Sequence, residues 1–254
     1  MRIASIYDIH ANPFALDAVI QDIKTHHVDL IVVGGDVIAG PLPGKTLAQL
    51  QQLAVPAQFI LGNAENECLR YLSGKPIGEL SSHSELVTRW VAAQLSDADQ
   101  QWIRQWLTTW SIQTDPLGTL LFCHATPKSD TEIVTRLTCD EKIAAQLVEP
   151  PASVIICGHT HMPFERTVCT TRWINSGSVG MPFGKAGADW LLIDNGIHFM
   201  HTDYDTNHAA LAMQHTDYPD IQAFIEHNIL SVPSENEALQ FLEKISAKSI
   251  EIQS

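Results

Sequence analysis

Up to His161 the chain alternates between short apolar runs and polar stops. Ile3-Ala4-Ser5-Ile6 gives way to Tyr7-Asp8-Ile9-His10, and Leu30-Ile31-Val32-Val33 to Gly34-Gly35-Asp36. Gln58-Phe59-Ile60-Leu61 stops at Gly62-Asn63, and the run over 119–122 stops at Cys123-His124. Ser153-Val154-Ile155-Ile156 ends at Cys157-Gly158-His159-Thr160-His161. Runs this short, bounded by glycine, predict buried strands. Phe14, Leu16, Ala18, Val19, Ile20 and Ile23 follow the first run at helical spacing, with Pro13 in the first turn. A second helix is predicted over 47–53. The resulting βαβαβ pattern predicts a parallel sheet covered by helices. Ligands of such sheets bind beyond the carboxyl ends of the strands. Asp8, His10, Asp36 and Asn63 all stand there. His159 and His161, if the chain stays extended, project to one side.

The remainder follows other patterns. Residues 73–110 read as helical and carry Trp90, Trp102, Trp106 and Trp110. This elaboration is expected to pack its tryptophans on the main core, with a substrate lid as the alternative. Strands are expected near Ile112 and over 119–122, and a helix over 140–147. After His161 come short β-runs over 164–168, 172–174, 190–193 and 197–204, with Asp194-Asn195-Gly196 as a hairpin turn. They imply a second, more antiparallel sheet. The segment from Asp205 to Ser254 reads as helical, broken at Pro219 and Pro233. The whole chain, 1–254, is expected to form a single domain.

Composition narrows the choice of partner. A net charge of −14 works against general nucleic-acid binding, because the phosphate backbone repels it. A small phosphorylated substrate stays compatible, since bound cations reverse the field locally. The five cysteines are scattered, with no CxxC pair, which argues against a disulfide framework and for a reducing, cytoplasmic setting. The start of the chain has no signal-peptide pattern. No apolar run nears the roughly 20 residues that span a bilayer, so no membrane partner is expected. The oligomeric state is not legible.

The polar stops collect into a donor set: Asp8, His10, Asp36, Asn63, His124, His159 and His161. Oxygen and nitrogen donors without thiolate suit manganese, iron, zinc or nickel better than calcium or magnesium. An aspartate shared by two cations would hold them roughly 3.5–4 Å apart, the spacing of two-metal hydrolases.

Five blocks in order, Asp8-Ile9-His10, Gly35-Asp36, Gly62-Asn63, His124 and Gly158-His159-Thr160-His161, resemble the calcineurin-like metallophosphoesterase superfamily, and within it the small bacterial phosphodiesterases. The loop Asn175-Ser176-Gly177-Ser178 agrees with that resemblance. It implies an α/β (α+β) fold, a two-sheet β-sandwich flanked by helices. It also implies two divalent cations, one on Asp8, His10, Asp36 and His161, the other on Asp36, Asn63, His124 and His159. Asp36 would be the bridge, and Asp36 and His124 would act catalytically through a metal-bridging hydroxide. The implied activity is phosphodiester hydrolysis, with a nucleotide as one substrate class. A protein phosphatase or a non-catalytic scaffold of the same fold are the alternatives.

Some positions depart from the family pattern. Ala64 stands where many members carry a histidine that protonates the leaving group. Glu65 follows it and reads as a helix-start carboxylate. Gly40 replaces a common second aspartate, and Tyr7 is expected to pack beneath the site. Asn12 reads as a helix cap, Arg136 and Arg166 as surface residues, and His198, His201, His208, His215 and His227 as surface or hairpin residues. Ser129 lacks the Gly-x-Ser-x-Gly elbow of a serine nucleophile.

Overall fold

A computed structural model describes residues 1–78 and 80–253. Glu79 and Ser254, which fall in the two stretches expected to be helical, lie outside the described residues. The chain begins β1 (Ile3–Ile6), α1 (Pro13–Thr25), β2 (Leu30–Val33), α2 (Pro43–Gln51), β3 (Ala57–Phe59) and α3 (Asn63–Leu72). It continues with α4 (Ser82–Gln94), α5 (Asp97–Ile103), β4 (Thr109–Thr114), β5 (Gly118–Cys123), α6 (Asp140–Ala144) and β6 (Val154–Cys157). Next are β7 (Phe164–Val168), β8 (Thr171–Asn175), β9 (Ala188–Ile193) and β10 (Ile197–Thr202). The last part holds α7 (Thr206–Met213), α8 (Ile221–Ile225), a π-helical turn (Glu226–Leu230) and α9 (Glu235–Gln253).

Two five-stranded sheets form, ordered β10-β9-β1-β2-β3 and β4-β5-β6-β8-β7. β1, β2 and β3 are parallel, as the βαβαβ pattern predicts. The strands after His161 do not make a sheet of their own. β9 pairs antiparallel with β1 and carries β10 with it, while β8 joins β6 in parallel. The apolar run of β9 was legible, but its partner β1 lies more than a hundred residues away and only packing selects it. β9 is buried throughout, so it cannot be an edge strand, and it fills the place beside β1.

Ile3, Val32, Phe122, Ile156, Ile174 and Leu191 meet between the sheets. Tyr7 packs in that layer and donates its hydroxyl to the Ile156 carbonyl at 3.0 Å. Outside the first sheet, α1 presents Ala15, Leu16, Val19 and Ile23, the face that helical spacing predicts. Asn12 caps this helix by accepting from the Ala15 amide at 3.1 Å, and its amide group donates to the Tyr204 hydroxyl at 3.0 Å. Both ends are used, so Asn12 acts as a cap.

The segment expected to be helical to residue 110 is helical only to Ile103 of α5. Trp110 lies on β4 against Phe122. Trp102 and Trp106 pack on Phe59, and Trp90 packs edge-on against Tyr218. Three of these four tryptophans thus serve the sandwich, and Trp90 ties α4 to the C-terminal helices. α9 sets Ala238, Leu239 and Leu242 against Ile133 and Met162, covering the loops that follow β5 and β6. Among the described residues no helix is long and apolar enough to cross a membrane.

Candidate metal centre

All seven donors sit just beyond the carboxyl ends of β1, β2, β3, β5 and β6. The backbone there is unusual. Asp8, His10, Asp36, His159 and His161 have φ of 52°, 47°, 50°, 66° and 56°. Left-handed residues other than glycine cost of order 1–3 kcal/mol each and persist where surrounding structure holds them. The chain is therefore not extended through His159-Thr160-His161, contrary to the expectation. Two left-handed turns splay the imidazoles. His161 joins Asp8 and His10, and His159 joins Asp36 and His124.

Within each group the donor atoms all lie within 4.8 Å of one another. His161 Nε2 is 3.4 Å from Asp8 Oδ1, and His10 Nε2 is 4.0 Å from Asp36 Oδ2. His124 Nε2 is 3.5 Å from the other Asp36 oxygen, Oδ1. One carboxylate thus faces both groups. Asn63 Oδ1 lies 3.2 Å from His124 Nε2 and completes the second group, while the Asn63 amide nitrogen donates to Glu67 at 3.2 Å.

The hydrogen bonds decide the tautomers. His10, His124 and His161 each place Nδ1 against a carbonyl, of Ala39, Gly34 and Met181, at 3.0, 2.9 and 2.9 Å. A carbonyl only accepts, so Nδ1 donates and Nε2 carries the lone pair. His10 Nε2 and His161 Nε2 then face each other at 3.0 Å as two lone pairs. Such pairs repel unless a cation lies between them. Asp8 Oδ1 and His159 Nδ1 are buried without a hydrogen-bond partner. Orphaned buried donors and acceptors are rare, and a bound cation accounts for these. The donor chemistry, the orphaned atoms and the facing lone pairs all fit two divalent cations.

Electrostatics agrees. Burial, with His161 nearby, pushes His10 down to about 3, and burial does the same to His159. Both imidazoles are neutral at pH 7, the ligating form. Burial opposes ionisation of Asp8, but the imidazoles of His161, His124 and His10 hold it down at about 2. Burial raises Asp36 to about 7, with the charges of Glu65 and Asp8 adding to the effect.

Glycines admit the carboxylates. A Cβ on Gly158 would lie 2.2 Å from Asp8 Oδ2, and one on Gly62 would lie 2.2 Å from Asp36 Oδ1. Gly158→Ala is accordingly expected to displace Asp8 and weaken cation binding by about 10–100-fold, measured by calorimetric titration of the apoprotein with Mn²⁺.

Glu65 was legible as a cap, and it does more. Its Oε2 accepts from the amides of Asp36 and Gly62 at 2.9 and 2.8 Å, and Oε1 from those of Val37 and Ile38 at 2.8 and 3.2 Å. The carboxylate is fully buried and its oxygens are engaged, so it cannot reach a substrate. It ties the loop after β2 to the start of α3. The available signal was a glutamate three residues after Gly62, placed to accept from the amide that starts α3. Asn175 closes the other side, donating to the Gly158 carbonyl and to Thr160 Oγ1, while Ser178 Oγ donates to the Asp8 carbonyl at 2.7 Å.

Other residues fall outside the cluster. Arg136 pairs with Glu235 and Arg166 with Asp140. Ser129 accepts from the amides of Thr131 and Glu132 in a turn. His198, His208, His215 and His227 are exposed, and His201 is tied to Asp189 at 2.7 Å.

Two pockets open from the donors. One, of about 300 Å³, is lined by His10, Asp36, Asn63 and Ala64 on one side and by α4 and the C-terminal helices on the other. The second, of about 750 Å³, is lined by Asn63, His159, Arg70, Lys142 and α9. Asn63 and Glu67 border both.

Two adjoining groups of oxygen and nitrogen donors, sharing one aspartate at the strand ends of a two-sheet sandwich, define a metal-dependent phosphoesterase centre. Residues 1–195 match the model of the calcineurin-like phosphoesterase superfamily domain, and the chain belongs to that superfamily. A search of curated proteins finds no match. Among solved structures, the fold resembles a metallophosphoesterase from Sphaerobacter thermophilus, with TM-score 0.70 and 22% identity over 89% of this chain and 98% of that one. It also resembles a hypothetical protein from Pyrococcus horikoshii OT3, with TM-score 0.77 and 14% identity over 92% of this chain and 99% of the other. At these identities the likeness is one of fold. The sandwich expected from the resemblance is the observed one.

Proposed function

We propose that this protein is a dinuclear metal-dependent phosphodiesterase acting on a small phosphodiester, a nucleotide being one candidate class. The observation that carries the preference for a diester is the pair of pockets meeting at Asn63. A diester has two substituents to accommodate on its phosphorus, and a monoester has one. Asp8, His10, Asp36 and His161 would hold one cation, and Asp36, Asn63, His124 and His159 the other. Two bound divalent cations supply a hydroxide nucleophile near neutral pH and positive charge for the phosphoryl oxygens. Asp36 orients its two oxygens toward the two groups, with Oδ1 also accepting from the Ala64 amide at 2.9 Å. His124 is fixed by Gly34, so its Nε2 needs no reorganisation during reaction.

The test is titration of chelator-treated protein with Mn²⁺, followed by assay with bis(p-nitrophenyl) phosphate. Two ions per chain and metal-dependent turnover are expected. A folded chain that binds no metal and turns over no ester with Mn²⁺, Fe²⁺, Zn²⁺ or Ni²⁺ is a scaffold, and the reading fails.

The pH dependence has a definite sign. A cation needs Asp36 as carboxylate, and in the apoprotein Asp36 holds a proton below about 7. His10 and His159 are already neutral there and release none. Burial opposes the charged form of His124, but the charges of Asp36 and Asp8 raise it, so it too gives up a proton to a cation, and Mn²⁺ affinity is expected to fall by more than about tenfold per unit below about pH 7, read by calorimetry in buffers of different ionisation enthalpy.

A further inference from the structure

We propose that His83, held by Asp220, protonates the leaving oxygen of the substrate in place of the histidine that Ala64 replaces. The inference rests on the phosphodiesterase reading above. It starts from the smaller pocket. At about 300 Å³ the pocket is at the low end for a ligand site, so a phosphoryl group at His10, Asp36 and Asn63 leaves room for one substituent. Ala64 contributes only a methyl group to that wall. His83 lines the pocket from α4. Its Nδ1 lies 3.2 Å from Asp220 Oδ2, which leaves Nε2 as the nitrogen available to a ligand. Asp220 itself sits at φ 53°, a strained position at the start of α8.

The other titratable groups facing this pocket suit the role less well. His10 and Asp36 belong to the metal groups. Burial raises Glu67, but its Oε1 is held by the amide of Asn63, a member of the second donor group. Burial pushes the Cys68 thiol and the Tyr218 hydroxyl upward, so neither exchanges protons near neutrality. Imidazole is the side chain that does so without perturbation. In the step, a P–O bond forms from hydroxide and the ester P–O bond breaks. The departing oxygen takes the bond's electron pair and the proton from His83 Nε2. The neutral imidazole regains a proton from solvent. Asp220 is a positioning residue that holds the imidazole through Nδ1.

The test compares two substrates in His83→Ala, a position whose native side chain is half exposed and outside the core. Thymidylyl-(3′→5′)-thymidine must expel an alkoxide, and its kcat is expected to fall by about 10²–10³-fold. Bis(p-nitrophenyl) phosphate expels a stable phenolate, and its kcat is expected to stay within about threefold. Asp220→Asn, which tolerates a left-handed backbone, is expected to lower kcat on the dinucleotide by about tenfold while the aryl ester stays within about threefold. Equal losses on both esters, or no loss on either, overturn the assignment. So does cleavage of the aryl ester by the unsubstituted enzyme without cleavage of the dinucleotide. No turnover of either ester with two ions bound overturns the phosphodiesterase reading itself.

Discussion

Asp36→Asn is expected to abolish measurable hydrolysis, with a loss on the order of 10³-fold or more in kcat. It should also lower the bound metal below two ions per chain. The physical reason is that Asp36 offers one oxygen to each donor set, Oδ2 toward His10 and Oδ1 toward His124. An amide presents one oxygen and one NH₂. The oxygen can serve one group, and the NH₂ then points donor hydrogens at lone pairs meant for a cation. The fold should survive, because the substitution removes a charge whose burial raises this carboxyl to about 7. Elemental analysis, thermal unfolding and assay with bis(p-nitrophenyl) phosphate separate these effects. If the Asp36→Asn variant keeps two ions and normal turnover, the bridging role is wrong.

Glu65→Ala is expected to act through stability. Removing a buried carboxylate that accepts four backbone N–H groups leaves those groups unpaired, at a cost of about 3–5 kcal/mol. Urea unfolding should show the midpoint fall with little change in slope. The same cut frees the backbone of Asp36, so Mn²⁺ affinity should drop even under conditions where the chain is folded. Glu65→Gln keeps one acceptor oxygen and should lose less stability than Glu65→Ala. Unchanged stability with activity lost in Glu65→Ala would mean that Glu65 takes part in the chemistry and that its scaffold role is mistaken.

Much of the centre was legible because parallel sheets gather their strand ends. Asp8, Asp36, Asn63, His124, His159 and His161 each follow an apolar run, and each is brought to the cluster. The departure at Ala64 was equally plain. Three things were not legible. The pairing of β9 with β1 depends on contacts between distant segments, which local alternation does not encode. The splay of His159 and His161 comes from left-handed backbone angles held by Asp8 and Asn175. The family resemblance had already assigned the two histidines to different cations, but not the turns that part them. The meeting of His83, which lines the smaller pocket, with Asp220 needs α4 and the start of α8 to come together, which the contact of Trp90 with Tyr218 helps to secure.

The sequence by itself determined the family of the chain and the types of its metal donors, because glycine-bounded apolar runs and the residues after them are local features. Only the tertiary structure decided how the backbone parts His159 from His161, what Glu65 holds, and that His83 lines the pocket beside Ala64. Those depend on backbone turns and on helices brought together by burial of their apolar faces.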